Sequence, residues 1–350
     1  MELVAQGTLP SARRIGGGAS RGRWSRVRTL GMAVAFLALN LAWRVLHRRL
    51  TPAYVFVVYP GTERDKRLYV PAWAERFLRP LSLSGVIRYR GRWGLMVSGL
   101  ATAELLERRP EAIEALLAEA RREFPLVEVI ALAGRLPSIA ARAGVDLGQP
   151  FTRGDRGTLS AMLGAARELA ERTGRRRDEL TIAVPGGGGF IGMRLALELG
   201  GEFGRVIALD PRYHGERRRH SNIVFTDRPA EVGDADVVIV LTRRGEEVAG
   251  VVPFLRPGAL VADDTHPEMP PAVRRAAERR GVEVLKASVY DVRFQITPRI
   301  PMFRADDIPG CLLEALVVLD RGRAVLRSQV EFDLAAREIG FRTRLAPHLD

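Results

Sequence analysis

Two short stretches carry residue types that could do chemistry. The first is Gly186, Gly187, Gly188, Gly189, Phe190, Ile191 and Gly192, in which Gly187, Gly189 and Gly192 stand in G-x-G-x-x-G register. Glycine at those positions permits a tight turn, close approach of backbone N–H groups to a pyrophosphate, and contact between helix and strand. A helix starting there adds partial positive charge at its N-terminus. The second stretch surrounds Cys311, the one cysteine of the chain. Asp306, Asp307 and Pro309 read as helix-start residues and Leu312 to Leu319 as an apolar helix. The sulfur is then expected in the first helical turn, where the dipole lowers a thiol pKa and favours thiolate. On placement alone a buried structural cysteine fits equally well.

The elements around the glycines make the first stretch more than a flexible turn. An apolar run at 180–185 precedes it, a helical pattern at 191–199 follows, and Asp210 ends the next strand, 205–210. A carboxylate about 20 residues beyond the loop is placed to accept hydrogen bonds from a dinucleotide ribose. It disfavours a 2′-phosphate, whereas Arg212, with Arg217, Arg218 and Arg219 beyond, could clamp one. The expected cofactor is therefore NAD(H) or NADP(H), held by the loop from Gly186 to Gly192, Asp210, Arg212 and Thr242, the last at the end of the apolar strand 234–241. Further strands at 222–225, 259–263 and 282–286 and a helix at 271–280 extend the alternation, which implies a doubly wound parallel sheet of Rossmann type.

Upstream, the runs 54–59, 94–99 and 127–133 read as strands and 102–107 and 110–123 as helices, followed by a loop at 149–157 and an amphipathic helix at 158–172. The expected fold class is thus α/β, a Rossmann sheet preceded by a smaller α/β substrate domain. The segments are 1–50, a basic N-terminal stretch with a short apolar helix, then 51–157 and 158–350.

Net charge is +13, but nine of the arginines and only Glu2 among the acids fall in residues 1–50, so the excess is concentrated there. No zinc-finger, basic-zipper or RNA-binding signature accompanies it, and nucleic acid is not an expected partner. The five histidines form no metal-binding pair, and no metal is expected. A single cysteine excludes an internal disulfide and fits a reducing, cytoplasmic compartment. The apolar run from Leu30 to Trp43 is shorter than the roughly 20 residues that span a bilayer. Residues 30–50 can be read as a membrane-surface anchor on the inner face, as a helix buried against the body, or as a targeting segment.

From about residue 131 to 345 the chain resembles the long-chain acyl-[acyl-carrier-protein] reductases that form fatty aldehydes. The similar stretches are ALAGRLPSI (131–139), TRGDRGT (152–158), IAVPGGGGFIG (182–192), DADVVIVLT (234–242), VADDTHP (261–267), PGCLLEA (309–315) and EIGFRTRL (338–345). The family's T-G-N stands here as Arg153-Gly154-Asp155, and its aromatic residue before proline as His266. The resemblance implies that Cys311 is acylated as a thioester, that Glu314 falls on the family's following glutamate, and that reduced nicotinamide then releases aldehyde. It implies acyl-carrier protein or acyl-CoA as the substrate partner. His266 lies at the carboxyl edge where open α/β sheets build sites, and could act as acid. An amino-acid or shikimate-type dehydrogenase, and a non-catalytic dinucleotide-binding protein, are the alternatives.

Overall fold

The computed structural model describes residues 34, 36–43, 45, 51–215, 217–300 and 302–349. In the first part of the chain the elements are β1 (Tyr54–Val58), α1 (Glu63–Tyr69), α2 (Ala72–Glu75), β2 (Leu81–Tyr89), β3 (Arg92–Gly99), α3 (Ala103–Arg108), α4 (Pro110–Glu123), β4 (Val129–Leu132), α5 (Leu136–Arg142) and β5 (Phe151–Thr152). No strand was expected at 81–89. Here β2 and β3 form an antiparallel hairpin whose two turn residues, Arg90 and Gly91, both have positive φ. Such a turn matches the strand twist, but Arg-Gly is a weaker sequence signal for it than Asn-Gly.

In the rest of the chain the elements are α6 (Asp155–Arg172), β6 (Thr181–Pro185), α7 (Phe190–Gly200), β7 (Arg205–Leu209), β8 (Arg218–His220), β9 (Ile223–Thr226), β10 (Val237–Val240), β11 (Leu260–Asp263), α8 (Pro271–Glu278), β12 (Glu283–Tyr290), β13 (Phe294–Thr297), β14 (Asp307–Ile308), α9 (Gly310–Arg321), α10 (Gln329–Ile339) and β15 (Arg342–Ala346). The larger sheet runs β14-β12-β11-β10-β6-β7-β9-β8, with β15 also on β12. Its parallel core, β9-β7-β6-β10-β11-β12, is in chain order 3-2-1-4-5-6, the doubly wound arrangement. The buried apolar run Val206 to Leu209 of β7 and the all-apolar β10 are what strands covered on both faces require.

The smaller sheet is ordered β13-β2-β3-β1-β4-β5, so residues 294–297 leave the second half of the chain to complete an edge of the first sheet. Between the two sheets lies α9, which packs on α6 and on β1, β4 and β12. That position explains why Leu312 to Leu319 are buried throughout: a helix apolar on every face is an interior helix. Asp306 and Asp307 do not cap it. Arg344 pairs with both, and Asp307 also accepts from Ser288, because the two acids sit in or beside β14 at the sheet edge.

Helix α6 begins at Asp155, three residues before the expected start at Thr158. The reason is tertiary. The buried Glu314 carboxylate on α9 accepts the backbone N–H of Arg153 at 3.1 Å and of Arg156 at 2.8 Å, so it caps α6 from another helix. The two helices meet through glycine: a Cβ on Gly157 would lie 2.2 Å from the Gly310 carbonyl, and one on Gly310 would lie 2.7 Å from Thr158 Cα.

Candidate active site

The glycine loop follows β6 at the point where the sheet's crossovers diverge, β7 lying on one side of β6 and β10 on the other. Open α/β sheets form their ligand crevice at such a switch point. Gly186 has φ +90°, and a Cβ there would lie 2.5 Å from the Leu241 carbonyl and 2.9 Å from the Thr242 nitrogen. Gly187, Gly188 and Gly192 are likewise pressed against Ala208, Asp210 and the Gly186 carbonyl. Gly189 differs: a Cβ there would meet only the Gly186 carbonyl, at 3.1 Å. It is the N-cap of α7 and no side chain caps that end, so the first-turn N–H groups of Phe190 and Ile191 have no side-chain acceptor there. A bare helix end beside a cradle that a Cβ would fill fits a pyrophosphate.

Asp210, at the end of β7, is buried beneath this loop. One carboxylate oxygen accepts the Gly188 N–H at 3.0 Å and the other the Arg212 N–H at 3.0 Å. The Arg212 guanidinium donates to the Gly188 carbonyl at 2.6 Å, and the Tyr213 hydroxyl to that of Gly187 at 3.1 Å. The residues after β7 thus brace the loop from below and from one side. Arg217 is engaged by Glu231. Arg218, Arg219 and His220 line a hollow together with Met193, Tyr213 and Phe225. On the other side, Thr242 flanks Gly186 and its hydroxyl donates to the Arg244 carbonyl at 3.0 Å.

Cys311 lies in the first turn of α9, as expected, but its ionisation goes the other way. Burial pushes the thiol up to about 11. Backbone N–H groups of Gly134, Leu312 and Cys311 itself favour thiolate, and the nearby Asp264 carboxylate opposes it. Desolvation outweighs the helix dipole because a charge without water loses more than a helix end returns. The resting group is a thiol. Gly154, with φ +72°, packs on it so closely that a Cβ there would be 2.6 Å from Cys311 Cα and Cβ.

Residues without an expected role at the thiol complete the surroundings. Tyr59 follows β1, and its hydroxyl accepts the Arg135 N–H at 2.9 Å. Gly134 follows β4 and Arg153 follows β5; Asp264 follows β11. The carboxyl ends of parallel strands from both sheets therefore converge on Cys311. Asp155, at the start of α6, pairs with Arg194 of α7 at 2.5 Å, and Arg194 lies over the exposed Phe190 ring. That ion pair ties the glycine-loop helix to the loop packed on the cysteine. Position at a strand's carboxyl end was the signal that could have found these residues.

His266 is partly exposed on the loop after β11. It stacks on Phe303 with ring centroids 5.6 Å apart, and its Nε2 is 3.8 Å from Asp264. The loop is held by the fully buried Asp263, which accepts from the Thr265 N–H, the Thr265 hydroxyl and the Met269 N–H. Asp263 thus serves the turn, while the Asp264 carboxylate is near enough to the thiol to disfavour its ionisation.

No family model and no curated protein matches the chain. Among solved structures it is similar to a conserved hypothetical protein of Sinorhizobium meliloti, with 22% identity and TM-score 0.27, covering 32% of this chain and only 42% of that one. It is also similar to a dipicolinate synthase polypeptide of Bacillus halodurans (16% identity, TM-score 0.31, 67% of this chain, 89% of that one). A malic enzyme of Pyrococcus horikoshii is similar over 90% of this chain and 75% of that one, at 18% identity and TM-score 0.40. None of these likenesses is close enough to carry an argument about chemistry.

Proposed function

We propose that the protein is a nicotinamide-dinucleotide-dependent oxidoreductase that reduces an acyl thioester to an aldehyde through Cys311. The observation that carries the reading is the juxtaposition of the lone thiol with the glycine loop, coupled through Asp155 and Arg194. Gly186 to Gly192 and the start of α7 would hold the pyrophosphate, with Asp210 and Arg212 beneath the adenosine half and Thr242 beside the loop. When bound, the reduced nicotinamide would supply hydride to the acyl carbon; the bond from that carbon to the Cys311 sulfur breaks, aldehyde leaves, and the sulfur takes a proton to return to thiol.

The chain's own residues do the rest. Cys311 gives up its proton and its sulfur attacks the thioester carbonyl carbon. The bond to the carrier sulfur breaks, and the carrier leaves as a thiol after taking a proton. Because the resting thiol is protonated, acylation needs a proton acceptor. His266 and Asp264, on one loop at the same edge, are the groups suited to take it and to return it to the leaving sulfur. The Gly134 N–H directed at the sulfur stabilises the thiolate as it forms. The fatty acyl-carrier-protein or acyl-CoA substrate rests on the sequence resemblance.

The test is intact-mass analysis after incubation with an acyl-CoA or an acylated carrier protein. The expected result is one acyl adduct, absent in Cys311→Ala, and aldehyde on addition of NADH or NADPH. One observation favours a second reading, a dehydrogenase without covalent chemistry: a thiol held protonated is a poor nucleophile. In that case Cys311→Ala retains most of its turnover and no adduct forms.

A further inference from the structure

Residues 36–43 are helical and lie against the first sheet. The contact is made on one side only. The Asn40 amide donates to the Leu83 carbonyl at 3.1 Å and accepts the Leu83 N–H at 2.7 Å, satisfying the backbone of β2. Trp43, one turn on, is buried against Phe124 with ring centroids 6.3 Å apart. The polar residue of this helix therefore points inward.

Among the described residues, the opposite face is apolar. At 100° per residue, Val34, Ala38, Leu41, Ala42 and Val45 fall within one stripe, with Leu39 at its margin. All six are exposed, Leu41 at 49% and Val45 at 75%. A surface helix ordinarily presents charge to water; this one reverses that order. Something other than water covers it.

We propose that this face lies on an anionic lipid surface. The charge around it selects that occupant. The apolar run is bordered in sequence by Arg44, Arg48 and Arg49 on one side and by Arg21, Arg23, Arg26 and Arg28 on the other. Next to the Phe124 on which Trp43 rests, Arg121, which lies over the Phe151 ring, and Arg122, which pairs with Glu119, are also exposed on the body. Cations flanking a shallow apolar stripe complement anionic headgroups over acyl chains, and would repel the same cations of a second copy. No described helix is long and apolar enough to cross a membrane; Asn40 and Trp43 hold this one against the body by its inner face, which leaves only the outer face for the proposed contact. The inference is independent of the reaction proposed above.

Co-sedimentation of the full chain with vesicles tests it, comparing phosphatidylcholine alone with phosphatidylcholine mixed with phosphatidylglycerol. The expected outcome is at least about tenfold more protein on the anionic vesicles, reversed by high salt. Leu41→Asp with Val45→Asp removes most of this binding. These side chains point outward, so an unchanged near-ultraviolet circular dichroism spectrum keeps the comparison one of surface and not of folding. Protein left in the supernatant with both vesicle types overturns the proposal. So does equal binding to both, or a dimer of the wild-type chain that the double variant dissolves.

Discussion

At the residue scale the competing influences on Cys311 can be separated by experiment. A thiol near 11 is only about one part in ten thousand thiolate at neutral pH, since each pH unit changes the ionised fraction tenfold. Alkylation by iodoacetamide is therefore expected to rise about tenfold per pH unit through the neutral range and to level off only near the thiol's pKa. The sign follows from the causes. Burial and Asp264 both favour the protonated form, so Asp264→Asn lowers the midpoint and speeds alkylation at neutral pH. A rate flat between pH 7 and 9 would show that the thiol is already ionised, and would refute this account. A bound acyl carrier that excludes further water would raise the demand on the proton acceptor, so the same profile taken on acylation reports whether His266 meets it.

At the element scale the crossing of α6 and α9 is where the site is built. Gly157 sits inside α6, and helix propensity alone predicts that Gly157→Ala stabilises by up to about 1 kcal/mol. The new methyl, however, would lie 2.2 Å from the Gly310 carbonyl and 2.7 Å from the Glu314 nitrogen, both backbone atoms. Overpacking costs of about 1–3 kcal/mol or more reverse the sign. The variant is expected to be destabilised by roughly 2 kcal/mol in urea unfolding, and to lose reactivity at Cys311 because α9 is pushed off the loop that carries Gly154. Glu314 acts at the same crossing. Its carboxyl is held above the usual range by burial and then by Asp155, yet the N–H groups of α6 that it caps pull the other way. The expected helix start at Thr158 missed by three residues because that cap comes from α9, and a helix-start rule reads only the neighbouring sequence.

At the scale of the whole molecule, the two sheets share their interior. Helix α9 is covered by both, and β13 crosses back to pair with β2. A segment equal to residues 51–157 would lose one edge strand and the helix that covers β1 and β4. Expressed alone, it is expected to lack a cooperative unfolding transition, as measured by urea denaturation followed by circular dichroism. A sharp two-state transition would show that the first sheet folds without the rest. The shared core also gives the site its form, because strand ends from both sheets reach Cys311 only while α9 fixes their separation.

The glycine loop, its strand and helix, and the strand–helix alternation that implies a doubly wound sheet were legible in the sequence, since each arises from patterns a few residues long; the strand order itself came from the tertiary structure. Leu312 to Leu319 were legible as an apolar helix in the same way, and its place in the interior was decided by the fold. Tertiary structure alone decided the protonation of Cys311, because burial under segments distant in the chain comes first, the Asp264 carboxylate adds to it and the Gly134 N–H opposes both. It alone decided that Asp306 and Asp307 serve Arg344, and that Asn40 turns inward while Leu41 turns out. Local sequence sets which groups are available; desolvation and pairing, which set what those groups do, depend on which segments the fold brings together.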